Sequence, residues 1–179
     1  KNKNGVYDIG ETYYDTGLID PTPASTLFPI TNTAPAISWN ELSFLPDTSF
    51  PVVTVAWNAS DLDGVESITE ILIALNDTNN FVSLPGNVRL VTLRGVNLNS
   101  ANPEVEILID ASPQNIYSEK LQGILLNGEN KILIRANDLS GAASNMIQLP
   151  DTTSTWFVKK PKGEVLIFDD YSITSFNQQ

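Results

Sequence analysis

The sequence predicts an all-β protein: an immunoglobulin-like antiparallel β-sandwich behind an extended N-terminal acidic segment. From residue 36 onward, short runs rich in β-branched and aromatic residues are separated by turns of Asp, Asn, Gly and Pro. Apolar and polar residues alternate within these runs, as Val53, Val55 and Trp57 do against Thr54 and Ala56. The apolar fraction of 41% in 179 residues is enough to build a core.

Eight runs show the composition or the alternation expected of strands. They are residues 36–44, 52–58, 67–75, 81–84, 88–94, 105–110, 130–137 and 155–158. Residues 113–123 are different, because Ile116, Lys120 and Leu121 fall roughly on one side of a helix. One or two helical turns are therefore expected there.

Composition divides the chain into three parts. Residues 1–35 form an acidic, calcium-loop-like segment and a linker, since the stretch 18–35 contains four prolines. Residues 36–160 form the sandwich. Residues 161–179 form a second linker and an apolar strand, which is either the first strand of a following α/β domain or an extra edge strand. The chain begins with Lys1, not Met, so we expect an internal part of a longer protein.

The charge is unevenly distributed. The chain has 21 acidic and 10 basic residues, and no Lys or Arg lies between Asn4 and Val88. This excludes electrostatic binding of nucleic acid or anionic lipid through the N-terminal half. No apolar run has membrane-spanning length, so no membrane insertion is expected.

Candidate catalytic groups are few. The chain has no His and no Cys, which excludes imidazole and thiol catalysis, disulfides and the usual zinc ligands. Asp169 and Asp170 point to opposite faces of a strand, so they are poorly arranged to share a substrate. Glu104 and Glu106 share a face that is expected to be solvated. We therefore predict no enzyme activity.

The first residues resemble a calcium-binding loop of EF-hand type. Such a loop places oxygen ligands at positions 1, 3, 5, 7, 9 and 12 and a glycine at position 6, here Gly5. Position 1 would fall before Lys1, and Asp15 could substitute for it. The alternative is an Asn/Gly turn with solvated acids. The proposed Ca²⁺ ligands are Asn2, Asn4, the Val6 carbonyl, Asp8, Glu11 and Asp15.

A second group of acids is predicted from topology. Asp61 and Asp63 follow one strand, and Asp138 follows another. If these are strands B and F of an immunoglobulin-like sandwich, the loops after them lie at the same end. The three carboxylates then form a second Ca²⁺ site, or each Asp caps its own turn with Gly64 or Gly141 at positive φ.

Tryptophans are the candidate ligand-binding residues. Trp57 is in phase with Val53 and Val55, which predicts a core position. Trp39 and Trp156 are ambiguous and could stack on sugar rings, as the exposed tryptophans of carbohydrate-binding modules do.

Several short motifs resemble modules of multidomain bacterial secreted or surface lipoproteins. Residues 4–11 are similar to an Asn-Gly-x-Tyr-Asp-x-Gly-Glu repeat of those proteins. Residues 32–35, 57–64 and 135–141 resemble their fibronectin type III or related Ig-like modules. Residues 160–171 are similar to the junction with a following α/β domain. One departure is Asn130, which stands where fibronectin-type modules often have Tyr, so the Ig-like description is the safer of the two.

These features together predict a non-catalytic structural or adhesion module, located outside the cell or on its surface and stiffened by Ca²⁺. Its expected partners are neighbouring domains of the same polypeptide. Two alternatives remain open. One is a carbohydrate-binding accessory module of a secreted enzyme, with surface glycans as ligands. The other is a subunit of a filament or surface layer, in which self-association occurs by strand donation between copies.

Overall fold

The computed structural model describes residues 31–41 and 43–163, and this part of the chain is built almost entirely of antiparallel β-sheets. It confirms the predicted all-β fold. The strands are β1 (Ala36–Trp39), β2 (Thr48–Ser49), β3 (Val52–Ser60), β4 (Ile68–Leu75), β5 (Val82–Pro85), β6 (Leu90–Val96), β7 (Glu104–Ile109), β8 (Ile116–Leu121), β9 (Gly128–Glu129), β10 (Ile132–Asp138), β11 (Ile147–Leu149) and β12 (Phe157–Val158). A single 3-10 turn, Val65–Ser67, is the one helical element among the described residues.

Two larger sheets contain most of the strands. The first has the order β1-β3-β6-β7-β8, and the second has the order β11-β10-β4-β5. All neighbours within them are antiparallel. A small third sheet has the order β2-β12-β9, and its β2–β12 pair is parallel.

One hydrophobic core receives side chains from both larger sheets, which gives a sandwich-like architecture. The first sheet contributes Val55 and Trp57 of β3, each 1% exposed, and the second contributes fully buried Ile73 and Ile134. Trp156, next to β12, is also part of this core. The alternation predicted for β3 is present, since Val53 and Val55 are buried and Thr54 is exposed. Burial of apolar area at about 25 cal/mol per Å² makes this core the main stabilising term.

The first predicted strand, 36–44, is wrong at its C-terminal end. β1 ends at Trp39, whose partner in β3 is Trp57. A turn follows, in which the Ser43 N–H donates to the Asn40 carbonyl at 2.8 Å. The Ser43 hydroxyl then both donates to the Ala56 carbonyl and accepts from the Ala56 N–H. The Ser43 side chain thus satisfies the backbone N–H and C=O of Ala56 on β3, at a position where the sequence predicted that the first strand would continue.

The helical turns expected in 113–123 are wrong, because this segment contains β8. β8 pairs with β7, and Lys120 stands opposite Glu106. The Lys120 ammonium lies 3.1 Å from the Glu104 carboxylate, and the Arg94 guanidinium lies 2.7 Å from that of Glu106. The Lys120–Glu104 pair joins the edge strand β8 to β7, and cross-strand pairing of this kind favours a strand over the weak helical spacing of three residues.

Three further observations concern the extent of the compact unit, one predicted strand and membrane-spanning helices. Asn32 and the described residues after it belong to one compact unit. The predicted strand of residues 164–171 lies outside the described residues. Among the residues described, no helix has the length and apolarity needed to cross a bilayer.

Candidate functional site

The two acidic loops lie side by side at one end of the fold. β4 and β10 are neighbours, and Asp138 is paired with Ile68 at the start of β4. The Leu139 N–H donates to the Ser67 carbonyl at 2.8 Å, which joins the loop after β10 to the loop after β3. Gly64 and Gly141 have φ of +111° and +88°, a conformation that favours glycine in tight turns. We call residues 61–67 and 138–142 the loop end.

The carboxylates of the loop end accept hydrogen bonds from N–H donors. Asp61 Oδ1 accepts the N–H of Asp63 at 2.9 Å, which is an Asx turn. Asp138 Oδ1 accepts the N–H of Ala142 at 2.8 Å. These contacts are the local turn chemistry that the sequence offered as the alternative to a metal site.

Asn32 and Thr33 bridge the two loops. The Asn32 amide donates to Asp138 Oδ2 at 2.6 Å, and the Thr33 N–H donates to Asp63 Oδ2 at 2.8 Å. The sequence placed both residues in the linker 1–35, although the Asn-Thr-Ala-Pro motif at 32–35 was a signal that they could have a structural role. Pro35 is buried, so the chain is already part of the fold before β1 begins.

Asp138 is buried, with 4% of its surface exposed. The hydrogen bond from Asn32 is the largest cause that holds the pKa of Asp138 below its ordinary value. Burial acts in the opposite direction, and the Ala142 N–H adds to the lowering. Asp138 is therefore a carboxylate at neutral pH, and its donors among the described residues are neutral amides.

The arrangement does not fit a calcium shell well. In residues 31–41 and 43–163, no three acidic side chains are grouped closely enough to hold a metal ion. One observation favours a cation: Asp61 Oδ2 is buried and has no hydrogen-bond partner among the described residues. The other proposed ligands, Asn2, Asn4, Val6, Asp8, Glu11 and Asp15, lie outside the described residues.

The two candidate tryptophans do not form a flat exposed platform. Trp156 is 2% exposed, and its indole N–H donates to Ser49 Oγ at 2.8 Å. Its ring is therefore a core element and is not available for stacking on a sugar. Trp39 is half-buried, meets Trp57 edge-on at 6.5 Å and donates to the Gln148 carbonyl at 2.9 Å.

Asn130 has a structural role that the sequence did not reveal. It is 5% exposed, and its carbonyl oxygen accepts from the Leu125 N–H at 2.8 Å and the Asn76 amide at 2.9 Å. Its amide donates to the carbonyls of Leu125 at 2.8 Å and Gly128 at 3.0 Å. The absence of the expected tyrosine was the only signal that pointed to this position.

Comparison of the chain with protein-family models, with curated proteins and with solved structures gives no match.

Proposed function

We propose that this chain is a non-catalytic structural or adhesion module of a larger bacterial surface protein, located outside the cell and joined to neighbouring domains of the same polypeptide. The observation that supports this is where the chain enters and leaves the described fold. Asn32 is held at the loop end, where β3 finishes, whereas the Lys159 N–H donates to the Ser49 carbonyl near the start of β3. The nine residues of β3 span about 30 Å. A chain that enters at one end and leaves at the other suits a spacer.

The strand order supports an immunoglobulin-like arrangement. β3 and β6 are neighbours as strands B and E are, and β4, β10 and β11 are neighbours as strands C, F and G are. One feature differs from a constant-type domain. Beyond strand E such a domain has strand D, which precedes E in sequence, whereas β7 and β8 follow β6. We therefore propose an Ig-like sandwich in which a hairpin extends one sheet.

Calcium is the proposed stiffening ion. The ligand set at the N-terminus consists of amide, carbonyl and carboxylate oxygens, which are the donors that this hard cation prefers. At the loop end, turns capped by the Asp side chains are better supported than a second Ca²⁺ site. The buried Asp61 Oδ2 has no hydrogen-bond partner among the described residues, which is the reason to test Ca²⁺ binding at Asp61 too.

Limited proteolysis with and without Ca²⁺ tests this proposal. We expect that Ca²⁺ slows cleavage within residues 1–35 and that EDTA restores it, because bound Ca²⁺ orders the loop and screens its acids. Glu11→Gln should abolish the protection, since it removes the bidentate ligand. Asp61→Asn is the matched variant at the loop end and should leave the protection unchanged. Identical cleavage of the unmodified chain with Ca²⁺ and with EDTA would contradict calcium stiffening.

The carbohydrate-binding alternative has weaker support. Stacking on a sugar requires exposed ring faces, and Trp156 is enclosed in the core. Trp39 alone does not make a platform. Glycan binding that is lost in Trp39→Ala would nevertheless favour this alternative over the spacer.

A further inference from the structure

An apolar groove lies at the end of the fold opposite the loop end. It has a volume of about 1060 Å³ and is lined by residues 50–52, 95–99 and 159–163 together with Asn127 and Phe157. Phe50 and Val52 in its wall remain 43% and 52% exposed. Apolar surface that is left open in this way, with a polar rim, is typical of an interaction site.

The groove is basic, although the chain as a whole is acidic. Lys159, Lys160 and Lys162 line it, and no acidic residue does so among the described residues. These are three of only ten basic residues in a chain of net charge −11. The hydrogen bonds that hold this segment use the backbone N–H groups of Lys159 and Lys160, so the bonds do not depend on the lysine side chains. The occupant that fits is therefore both apolar and acidic.

The loop end of the same molecule has that character. Leu62 is 88% exposed, Val65 is 55% exposed and Leu139 is 81% exposed. Asp61, Asp63 and Glu66 lie in the same loop as Leu62 and Val65, and residues 59–70 and 136–154 contain no Lys or Arg. Exposed leucines that project from short, hydrogen-bonded turns make a protruding apolar surface with acids at its margin.

We propose that the groove of one copy of this chain receives the loop end of a second copy, with the Lys side chains facing the acids around the leucines. Contact between two grooves would oppose lysines to lysines, and contact between two loop ends would oppose acids to acids. Charge complementarity therefore selects a head-to-tail contact. The two surfaces lie at opposite ends of β3. A growing head-to-tail assembly therefore always has a free groove at one end and a free loop end at the other. Such a heterologous contact makes an open linear assembly.

This inference goes beyond the proposed function and does not depend on calcium. It uses side-chain surfaces, unlike strand donation, so the sheets stay unchanged on association. It also suits a spacer whose chain enters at the loop end and leaves beside the groove, because successive copies would then be aligned in the same direction.

Sedimentation velocity on the full chain tests the proposal, in EDTA and at about 0.05 M NaCl, from about 10 µM to about 1 mM protein. We expect the mean mass to rise with concentration and to fall again at about 0.5 M NaCl. Lys160→Glu/Lys162→Glu blocks the groove, and Leu62→Ser/Leu139→Ser blocks the loop end. Each should abolish detectable self-association over this concentration range. Circular dichroism should show unchanged folding, since all four side chains are exposed.

Mixing the two blocked variants gives the decisive result. Each retains one intact surface, so a mixture should form 1:1 dimers that do not grow further, while each variant alone stays monomeric. Lys131→Glu and Phe44→Ser make the same kinds of change at exposed positions outside both surfaces and should associate as the unmodified chain does. The proposal is overturned if the unmodified chain is monomeric throughout, if either blocked variant still assembles alone, or if the mixture forms no dimer.

Discussion

Asn130 fixes the segment before β10 through one buried side chain. Its four hydrogen bonds join it to Leu125, Gly128 and Asn76. In immunoglobulin-like domains a tyrosine near the start of strand F ties the backbone by its hydroxyl. A primary amide has both donors and acceptors, so Asn130 satisfies backbone N–H and C=O groups at the same time. The side chain is short, and the backbone approaches it closely enough to make this possible.

Asn130→Ala should therefore be strongly destabilising. The substitution removes four partly buried hydrogen bonds, two accepted from the Leu125 N–H and the Asn76 amide and two donated to the Leu125 and Gly128 carbonyls, and polar groups that lose a partner away from water are costly. We expect the free energy of unfolding to fall by about 3 kcal/mol, measured by urea denaturation. Asn87→Ala, at an exposed asparagine, is the control and should change it by less than about 0.5 kcal/mol. Equal effects of the two substitutions would show that the network around Asn130 is not stabilising.

The sequence predicted strands best where burial imposes a pattern. β3 alternates because one face meets the core, and β4 and β10 are apolar because they are the central strands of their sheet. β2, β9 and β11 have two or three residues each, too few for any period to appear. β8 was missed because its identity comes from pairing with β7 and not from its own composition.

The same division applies to the loop end. Strand order predicted that Asp61, Asp63 and Asp138 lie at one end of the sandwich. The Leu139 N–H donates to the Ser67 carbonyl and so joins the two loops that contain these acids, but among the described residues no three acidic side chains are close enough to hold a metal ion. Asn32 and Thr33 were not predicted as their partners, because those hydrogen bonds join residues 106 and 30 positions apart in the chain. Local spacing contains no information on such contacts. The sequence therefore indicated three carboxylates whose negative charge needs compensation, but it did not indicate the N–H donors that provide it.

The close approach of β5 to β4 depends on Gly86. Its N–H donates to the Thr69 carbonyl at 3.0 Å, and a Cβ added to Gly86 would lie 1.9 Å from the Ile68 carbonyl oxygen. Gly86→Ala would force the two backbones apart, so we expect a loss of about 3 kcal/mol in the free energy of unfolding. Gly163→Ala introduces a Cβ with no atom within 4 Å and should be nearly neutral. The thermal midpoint of each variant, compared with that of the unmodified chain, measures the effect of each substitution. An unchanged midpoint in Gly86→Ala would contradict the close approach of β5 to β4.

The distribution of charge follows the long axis of β3. The acids that the sequence concentrates in its N-terminal half include Asp61, Asp63 and Glu66 of the loop end, and the lysines of 159–162 lie beside the groove at the other end. The net charge of −11 therefore describes the molecule poorly, because it averages an acidic end and a locally basic one. Directional association is a consequence of that separation, whereas a uniformly acidic surface would only repel other copies.

The fold is complete only when β12 is in place. Trp156 and Val158 are 2% and 0% exposed, and both belong to the core. The Asn130 N–H donates to the Trp156 carbonyl at 2.8 Å, and the Phe157 N–H donates to the Asp47 carbonyl at 2.8 Å. This short strand, which the sequence assigned to the sandwich 36–160, thus joins the end of the described chain to Asp47 near its start and to Asn130.

Two truncated chains test whether β12 closes the core. A chain that ends at Thr153 loses Trp156 and Val158, and burial of a tryptophan alone contributes about 3–5 kcal/mol. Because total stability is of the order of 5–15 kcal/mol, we expect this chain to show no cooperative urea transition. A chain that ends at Gly163 keeps β12 and should retain the transition with an unchanged slope. If both chains lose it, residues after 163 contribute to the fold and the division at 160 is wrong; if both keep it, β12 does not complete the core.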